Sequence, residues 1–373
     1  MISTTLFPGR YVQGYEAFRR LGREMARFGD KAYLICADRA LYDLLPNFKD
    51  DIERDIGLET QVFGGECSDE EIGKLAGLAR ASGCSVIAGM GGGKTLDTAK
   101  AVAHELKLPV ACAPTIASTD APCSALAVVY TATGEFKRYL VLPKNPELVI
   151  VDTKVVVEAP PRFLVSGMGD ALATWFEAES CRKGYSPNMS GDIGSRAAYT
   201  LASLCYETLL EYGLLARLSC EAQAVTPALE RIVEANTLLS GLGFESGGLG
   251  AAHAIHNGLT ALEASHSYWH GEKVAFGTLA SLFLTDKPRH TIEEVYDFCE
   301  EVGLPTTLDG VGLGDASDAD LMKVAELATA EGETIYNEPI PVTAQMVFSA
   351  MKAADAEGRW REGMAELGSE AWE

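Results

Sequence analysis

The sequence predicts a chain of two structural classes joined end to end, an α/β half over residues 1–159 and an all-α half over residues 160–373. Three observations predict it. Roughly the first 150 residues alternate short apolar runs with helical patterns, the signature of parallel βαβ units. Beyond Pro160-Pro161 the texture turns to helical periodicity with almost no strand signal. A length of 373 residues also exceeds what one core holds, because hydrophobic cores stop growing near roughly 250–300 residues.

In the first half, Tyr33–Cys36, Thr60–Phe63, Ser85–Ala88, Val110–Ala113 and Leu148–Val151 read as buried strands. Ser68 with Glu71 three residues on forms a capping box for a helix running to about Ala81. Ala127–Thr131 and Phe136–Leu142 flank Thr133-Gly134-Glu135 and read as a hairpin. In the second half, helical periodicity marks segments near 161–180, 191–214, 227–241, 249–262, 271–285, 291–302, 317–330 and 342–356.

Composition narrows the function. An apolar fraction of 47% and a charged fraction of 23% are close to globular averages and argue against wholesale disorder. With 31 Lys and Arg against 53 Asp and Glu, the net charge of −22 would repel phosphate backbones and anionic lipids, so neither nucleic acid nor a membrane is an expected partner. No run approaches the ~18 apolar residues of a membrane span, and the N-terminus lacks a signal-peptide pattern. A cytoplasmic location is expected. The nine cysteines include no C-x-x-C pair and read as reduced core thiols.

Gly91-Gly92-Gly93-Lys94-Thr95 follows an apolar strand and opens a helix, where backbone N–H groups and the helix dipole hold a phosphate. A Walker A loop needs glycine where Ala88 stands, and a G-x-G-x-x-G fingerprint needs it where Lys94 stands. The structural alternative is a tight turn, but successive glycines are costly in entropy unless a positive φ or a close approach requires them. Asp38, just past the first strand, suits the adenosine ribose hydroxyls and would repel a 2′-phosphate, which favours NAD over NADP. Its alternative is a helix N-cap before Ala40.

Four of the six histidines, 253, 256, 266 and 270, fall within eighteen positions. A divalent catalytic metal takes about three His or carboxylate ligands and keeps a position open for substrate. Two histidines, 253 and 270, need a carboxylate, and Asp170 in GMGDALATW is the candidate, since an unpaired charge in that apolar stretch would be expensive. An N-cap role for Asp170, packed core histidines at 253 and 256 and a surface His270 are the structural alternatives.

The runs GGGKTLDTAKAVA, PTIASTDAPCSA, GMGDALATWFEA, GLGFESGGLGAAHAIHNGLT and HGEKVAFGTL together resemble bacterial glycerol dehydrogenases of the iron-containing alcohol dehydrogenase superfamily, over about residues 5–355. The resemblance implies a Rossmann-like N-terminal domain and a helical C-terminal domain in the dehydroquinate synthase-like manner. It implies a Zn2+ held by Asp170, His253 and His270, with Fe2+, Mn2+ or Co2+ compatible with the same donors, and these three residues presented to the substrate with the metal. It implies NAD contacts at Asp38, Gly92, Gly93, Lys94, Thr95, Thr115, Ser118, Ser124, Leu126 and Tyr130. Asp120 of the STDAP motif would hydrogen-bond the polyol, and His256, one turn after His253, would lie behind the metal or relay a proton, with simple packing the alternative. The implied reaction oxidises glycerol or a similar vicinal diol to a hydroxyketone, in a homo-oligomer, an octamer by the resemblance.

A glycerol phosphate substrate would need a further Lys or Arg near the metal, and Lys94 belongs to the cofactor loop. A nucleotide-hydrolysing P-loop protein is disfavoured by Ala88 and the histidine pair, and a non-catalytic NAD sensor by the intact ligand set.

Overall fold

The computed structural model describes residues 2–370. Strands β1 (Tyr11–Gly14), β2 (Lys31–Cys36), β3 (Gly57–Val62), β4 (Val86–Gly91), β5 (Val110–Pro114) and β8 (Leu148–Asp152) form one sheet in the order β1-β8-β5-β4-β2-β3, every pair parallel. The five runs read as buried strands are β2, β3, β4, β5 and β8, but β3 lies at a sheet edge and is only half-buried, with Gly57 and Glu59 exposed, so the expected burial does not hold there. The sixth strand, Tyr-Val-Gln-Gly at the sheet edge, is half-buried throughout and carries no apolar run to announce it. A separate antiparallel pair, β6 (Leu126–Tyr130) and β7 (Phe136–Val141), is the expected hairpin, turning through Gly134 at φ +88°.

Helices α1 (Leu21–Met25), α2 (Lys49–Glu53), α3 (Asp69–Ser82), α4 (Gly93–Leu106) and α5 (Thr153–Val157) intervene between or follow these strands. Ser68 caps α3 by accepting from the Glu71 N–H at 3.2 Å, but the Glu71 carboxylate takes the Gly64 N–H instead of returning to Ser68, so only half of the expected capping box forms. The rest of the chain is helical: α6 (Pro161–Gly184), α7 (Arg196–Glu221), α8 (Pro227–Glu234), a π turn (Ala235–Leu239), α9 (Ser240–Gly247), α10 (Ala251–Leu259), α11 (His270–Leu284), α12 (Arg289–Val302), α13 (Asp318–Ala328) and α14 (Ala344–Glu370).

Two compact units result. One, the sheet unit, comprises Leu6–Leu164 with Leu218–Gly241; the other, the helical unit, comprises Met1–Thr5, Val165–Arg217 and Leu242–Glu373. The stretch Leu218–Gly241 is helical in pattern yet packs with the sheet, which composition does not reveal. Phe18, Leu21, Met25 and Ile52 pack on Leu34, Val86, Ala88 and Ile150 to build the core of the sheet unit. Eight of the nine cysteines are buried and none is bridged, as the sequence predicts for core thiols. No helix among the described residues is long and apolar enough to cross a membrane.

The order of strands positions the ligand-binding ends. From β2 the chain moves outward to β3, whereas from β4 it moves the other way to β5, so the loops after β2 and β4 diverge from one point of the sheet. Crevices at the carboxyl ends of strands that part in this way are where open α/β sheets bind ligands. Asp38 follows β2 and the glycine run follows β4. The two loops are joined there by the Ala37 N–H donating to the Met90 carbonyl at 2.9 Å.

Candidate active site

In the sheet unit the glycines divide by physical cause. A Cβ on Gly89 would lie 2.7 Å from the Ala99 Cβ, and one on Gly91 would lie 2.7 Å from Thr95 Oγ1 and 2.9 Å from the Ala37 Cβ, so both are required for α4 to close on the sheet. Gly92 and Gly93 are different. Neither has a positive φ, a Cβ on Gly92 would meet Ile116 at 3.3 Å, and one on Gly93 would meet nothing nearer than 3.9 Å. Gly92 is the N-cap of α4 and supplies no side-chain cap.

The remaining expected cofactor residues belong to the same sheet unit. Asp38 is exposed, and Thr95 is buried in the first turn of α4. Thr115 donates its N–H to the Gly91 carbonyl at 3.0 Å. Lys94 Nζ is ion-paired with both oxygens of Glu66, at 2.6 and 2.7 Å, and lies 5.0 Å from the centre of the Tyr130 ring. Burial raises the Tyr130 hydroxyl above its usual range, keeping it neutral. Leu126 is half-buried at the head of β6, while Ser118 and Ser124 are buried.

Asp120 is buried and accepts from Ser240 Oγ at 2.7 Å through Oδ2. The loop before it is held by Asn236, whose Nδ2 donates to the carbonyls of Ala117 and Leu164, each at 3.0 Å. Asn236 lies in the π turn and Ser240 directly follows it, and π turns within helices mark functional sites disproportionately. The loop after Asp120 is fastened from below by Lys100, whose fully buried Nζ donates to the carbonyls of Ala121 and Leu126 at 2.7 Å each and pairs with Asp97 at 3.1 Å. The sequence reading missed Asn236, Ser240, Asp97 and Lys100. In GGGKTLDTAK an Asp and Lys three apart look like an ordinary helix-surface pair.

In the helical unit Asp170, His253 and His270 converge. One ligand atom from each lies within 4.8 Å of the other two, with Asp170 on α6, His253 on α10 and His270 on α11. Glycines allow the convergence. A Cβ on Gly271 would fall 1.7 Å from the Ser166 carbonyl oxygen, and one on Gly169 would fall 2.3 Å from the Gly271 carbonyl oxygen, so α6 and α11 touch backbone to backbone beside Asp170 and His270. Gly277 brings α11 equally close to Ala252 of α10.

Hydrogen bonds fix which nitrogen of each ring faces Asp170. His253 Nδ1–H donates to Glu177 Oε2 at 2.7 Å, since a carboxylate can only accept. His270 Nδ1–H donates to His256 Nε2 at 3.0 Å, His256 Nδ1–H donates to Asn257 Oδ1 at 3.2 Å, and Asn257 Nδ2 donates to Glu333 Oε2 at 3.1 Å. Both Nε2 atoms are therefore directed at Asp170 Oδ1, 3.4 Å from His253 and 3.1 Å from His270, and offer it a proton or, deprotonated, offer a cation a lone pair. Three such groups facing one another repel unless a cation or a proton stands among them. Two imidazoles and a carboxylate, each backed by a hydrogen bond, are the donor chemistry of a divalent metal site.

The charges agree with the geometry. Burial raises the Asp170 carboxyl, but the His270 charge and hydrogen bonds from both histidines outweigh it and hold the group well below the carboxylate range. Burial lowers His253, and Glu177 with Asp170 overcomes it, so without a metal a proton takes the cation's place. His256 is pushed well below its ordinary value by burial, then by His270 and His253, which keeps it a neutral acceptor.

Residues 8–153 match the model of the iron-containing alcohol dehydrogenase family. The chain is 65% identical to a glycerol dehydrogenase of Thermotoga maritima over 98% of this chain and 100% of that protein. It is 52% identical to a glycerol dehydrogenase of Escherichia coli over 94% of this chain and 96% of that one. The crystal structure of glycerol dehydrogenase from Schizosaccharomyces pombe superposes with a TM-score of 0.93 at 40% identity, covering 98% of this chain and 93% of that chain.

Proposed function

The chain belongs to the iron-containing alcohol dehydrogenase family and is an oxidoreductase that oxidises glycerol at a CH–OH carbon, and from that premise we propose how its residues carry the reaction. Asp170, His253 and His270 hold a divalent cation, Zn2+ by preference, and the observation that carries this is the pair of Nε2 atoms aimed at one buried carboxylate with the opposite nitrogen of each ring already engaged. When bound, such a cation lowers the pKa of a coordinated hydroxyl, as Zn2+ takes water from about 15.7 to about 7, and NAD accepts the hydride.

The chain's own groups bind, orient and hold charge. Gly92 and Gly93 lack both a positive φ and a crowding neighbour, so close approach by a pyrophosphate explains them, with the start of α4 supplying N–H groups and positive dipole. Lys94 and Thr95 meet the same phosphates, Asp38 accepts from the adenosine ribose, and Thr115, Ser118, Ser124, Leu126 and Tyr130 line the rest of the dinucleotide. Asp120, held by Ser240, hydrogen-bonds a polyol hydroxyl. His256 accepts the His270 Nδ1–H and keeps that ring from turning. The secondary carbon of glycerol loses a hydride to NAD and its hydroxyl loses a proton to solvent, which yields dihydroxyacetone. We propose further that the enzyme works in the cytoplasm as a homo-oligomer, an octamer by family resemblance.

Elemental analysis together with NAD and NADP reduction by glycerol tests the proposal on the wild type and on His253→Ala. The expected result is about one metal ion per chain, glycerol-dependent NADH formation in preference to NADPH, and loss of both metal and turnover in the variant. Loss of several kcal/mol of Lewis-acid stabilisation is on the order of a thousandfold in rate. A wild type that holds no metal, or a His253→Ala enzyme of undiminished activity, overturns it.

A further inference from the structure

We propose that Glu177 is a positioning residue that aims the His253 lone pair at the metal, an inference that rests on the metal reading above. Three observations support it. Glu177 follows Asp170 by seven residues on α6, about two turns and ~10.5 Å along the axis, so one helix presents both carboxylates on nearly the same face. Both oxygens of Glu177 engage one residue: Oε1 accepts the His253 backbone N–H at 2.9 Å and Oε2 accepts His253 Nδ1–H at 2.7 Å. The side chain is buried, 1% exposed, so neither bond is shared with solvent.

Clamping backbone and ring together removes the freedom that a single bond would leave. A ring held only through Nδ1 could swing about its Cα–Cβ bond. A backbone held alone could keep either ring nitrogen turned to Asp170. With both held, Nε2 is the only donor the residue can present.

The start of α10 is shaped around this clamp. Its N-cap is Gly250, which supplies no cap of its own, and the unpaired N–H groups of the first turn are taken from outside, Ala251 by Glu338 at 2.9 Å and His253 by Glu177. A Cβ at position 250 would lie 2.6 Å from Glu338 Oε1 and 3.5 Å from Glu177 Cγ, so the glycine leaves room for the two carboxylates. Glu338 caps the same helix through the Ala251 N–H rather than through an imidazole, and it serves as the internal control.

The test is competition for Zn2+ between a chromogenic chelator and the metal-stripped full-length protein, with NAD affinity and thermal midpoint measured on the same samples. Glu177→Gln turns an amide NH2 toward Nδ1 and favours the tautomer with its proton on Nε2. It should weaken Zn2+ binding about 10- to 100-fold, the range for residues backing metal ligands, with NAD affinity unchanged. Glu338→Gln should change Zn2+ affinity less than about threefold. In a His253→Ala background, Glu177→Gln should add nothing further. Should Glu177→Gln fail to fold, Glu177→Asp, one methylene too short to span both atoms, carries the same expectation. The inference is overturned if folded Glu177→Gln or Glu177→Asp binds Zn2+ as tightly as the wild type. It is equally overturned if Glu338→Gln matches the loss, or if the loss persists without His253. A wild type that binds no Zn2+ overturns the metal reading instead.

Discussion

The Asp170–His253–His270 cluster and the glycine loop both gather polar groups to receive a charged ligand, but they are built oppositely. At the cluster, helix backbones touch through Gly169 and Gly271, the carboxylate is fully buried, and the Nδ1 atoms of His253, His270 and His256 are engaged by Glu177, His256 and Asn257 respectively. At the loop, Gly92 and Gly93 leave space, Asp38 is exposed and Lys94 rests on a surface carboxylate. Rigid, desolvated donors suit an ion that stays; open, solvated ones suit a dinucleotide that must leave after each turnover. Lost packing should therefore dominate substitutions at the cluster, and lost ligand contact those at the loop.

Gly271→Ala is the sharpest way to break the first half of that comparison. Its Cβ would overlap the Ser166 carbonyl, and relief can come only from moving α6 against α11. Overpacking of this kind costs about 1–3 kcal/mol and occasionally more. The expected outcome is a loss of about 3 kcal/mol in a denaturant titration with Zn2+ affinity at least about tenfold weaker and NAD affinity unchanged. A variant that keeps its stability and its metal would show that the backbone contact does not set the geometry of the ligands.

Gly93→Ala addresses the other half. Its Cβ would touch nothing within 3.9 Å and would stand in the first turn of α4, where alanine is up to about 1 kcal/mol better than glycine. The thermal midpoint should stay level or rise while NAD binds about tenfold more weakly, a change of about 1.4 kcal/mol. Fluorescence titration of NAD alongside a melting curve separates the two effects. Unchanged NAD affinity would return the glycine run to the tight-turn reading.

The same contrast explains what could be read from the chain. Strands such as Tyr33–Cys36 and Ser85–Ala88 are legible because burial on both faces requires an unbroken apolar run. The edge strand Tyr11–Gly14 is not, because its half-buried Gln13 breaks the run. Ligand types in the histidine cluster are legible from chemistry. Their convergence from positions 170, 253 and 270 depends on glycine-mediated helix contacts that no local pattern encodes. Glu177 had a signal that went unused, an acid inside ATWFEA seven residues after Asp170. The π turn at Ala235–Leu239 had none, since one extra residue in a helical turn leaves composition and periodicity nearly unchanged.

The smallest effect concerns Lys94. Its pairing with Glu66 places a carboxylate where the loop reading places a phosphate, so NAD must displace Glu66 before Lys94 can serve it. Both side chains are partly exposed, 45% and 31%, and pairs of that kind contribute about 0.2–1 kcal/mol. Glu66→Gln should then tighten NAD binding by no more than about fivefold and leave the melting temperature alone. The gain should shrink as salt rises, because screening weakens the Lys94–Glu66 attraction in the wild type and removes the advantage of the variant. A gain that persisted undiminished at about 1 M salt, where the screening length is near 3 Å, would mean that Glu66 obstructs the dinucleotide by its bulk. Weaker NAD binding in Glu66→Gln would mean instead that Glu66 holds Lys94 in its working position, and the loop would then be as preorganised as the histidine cluster.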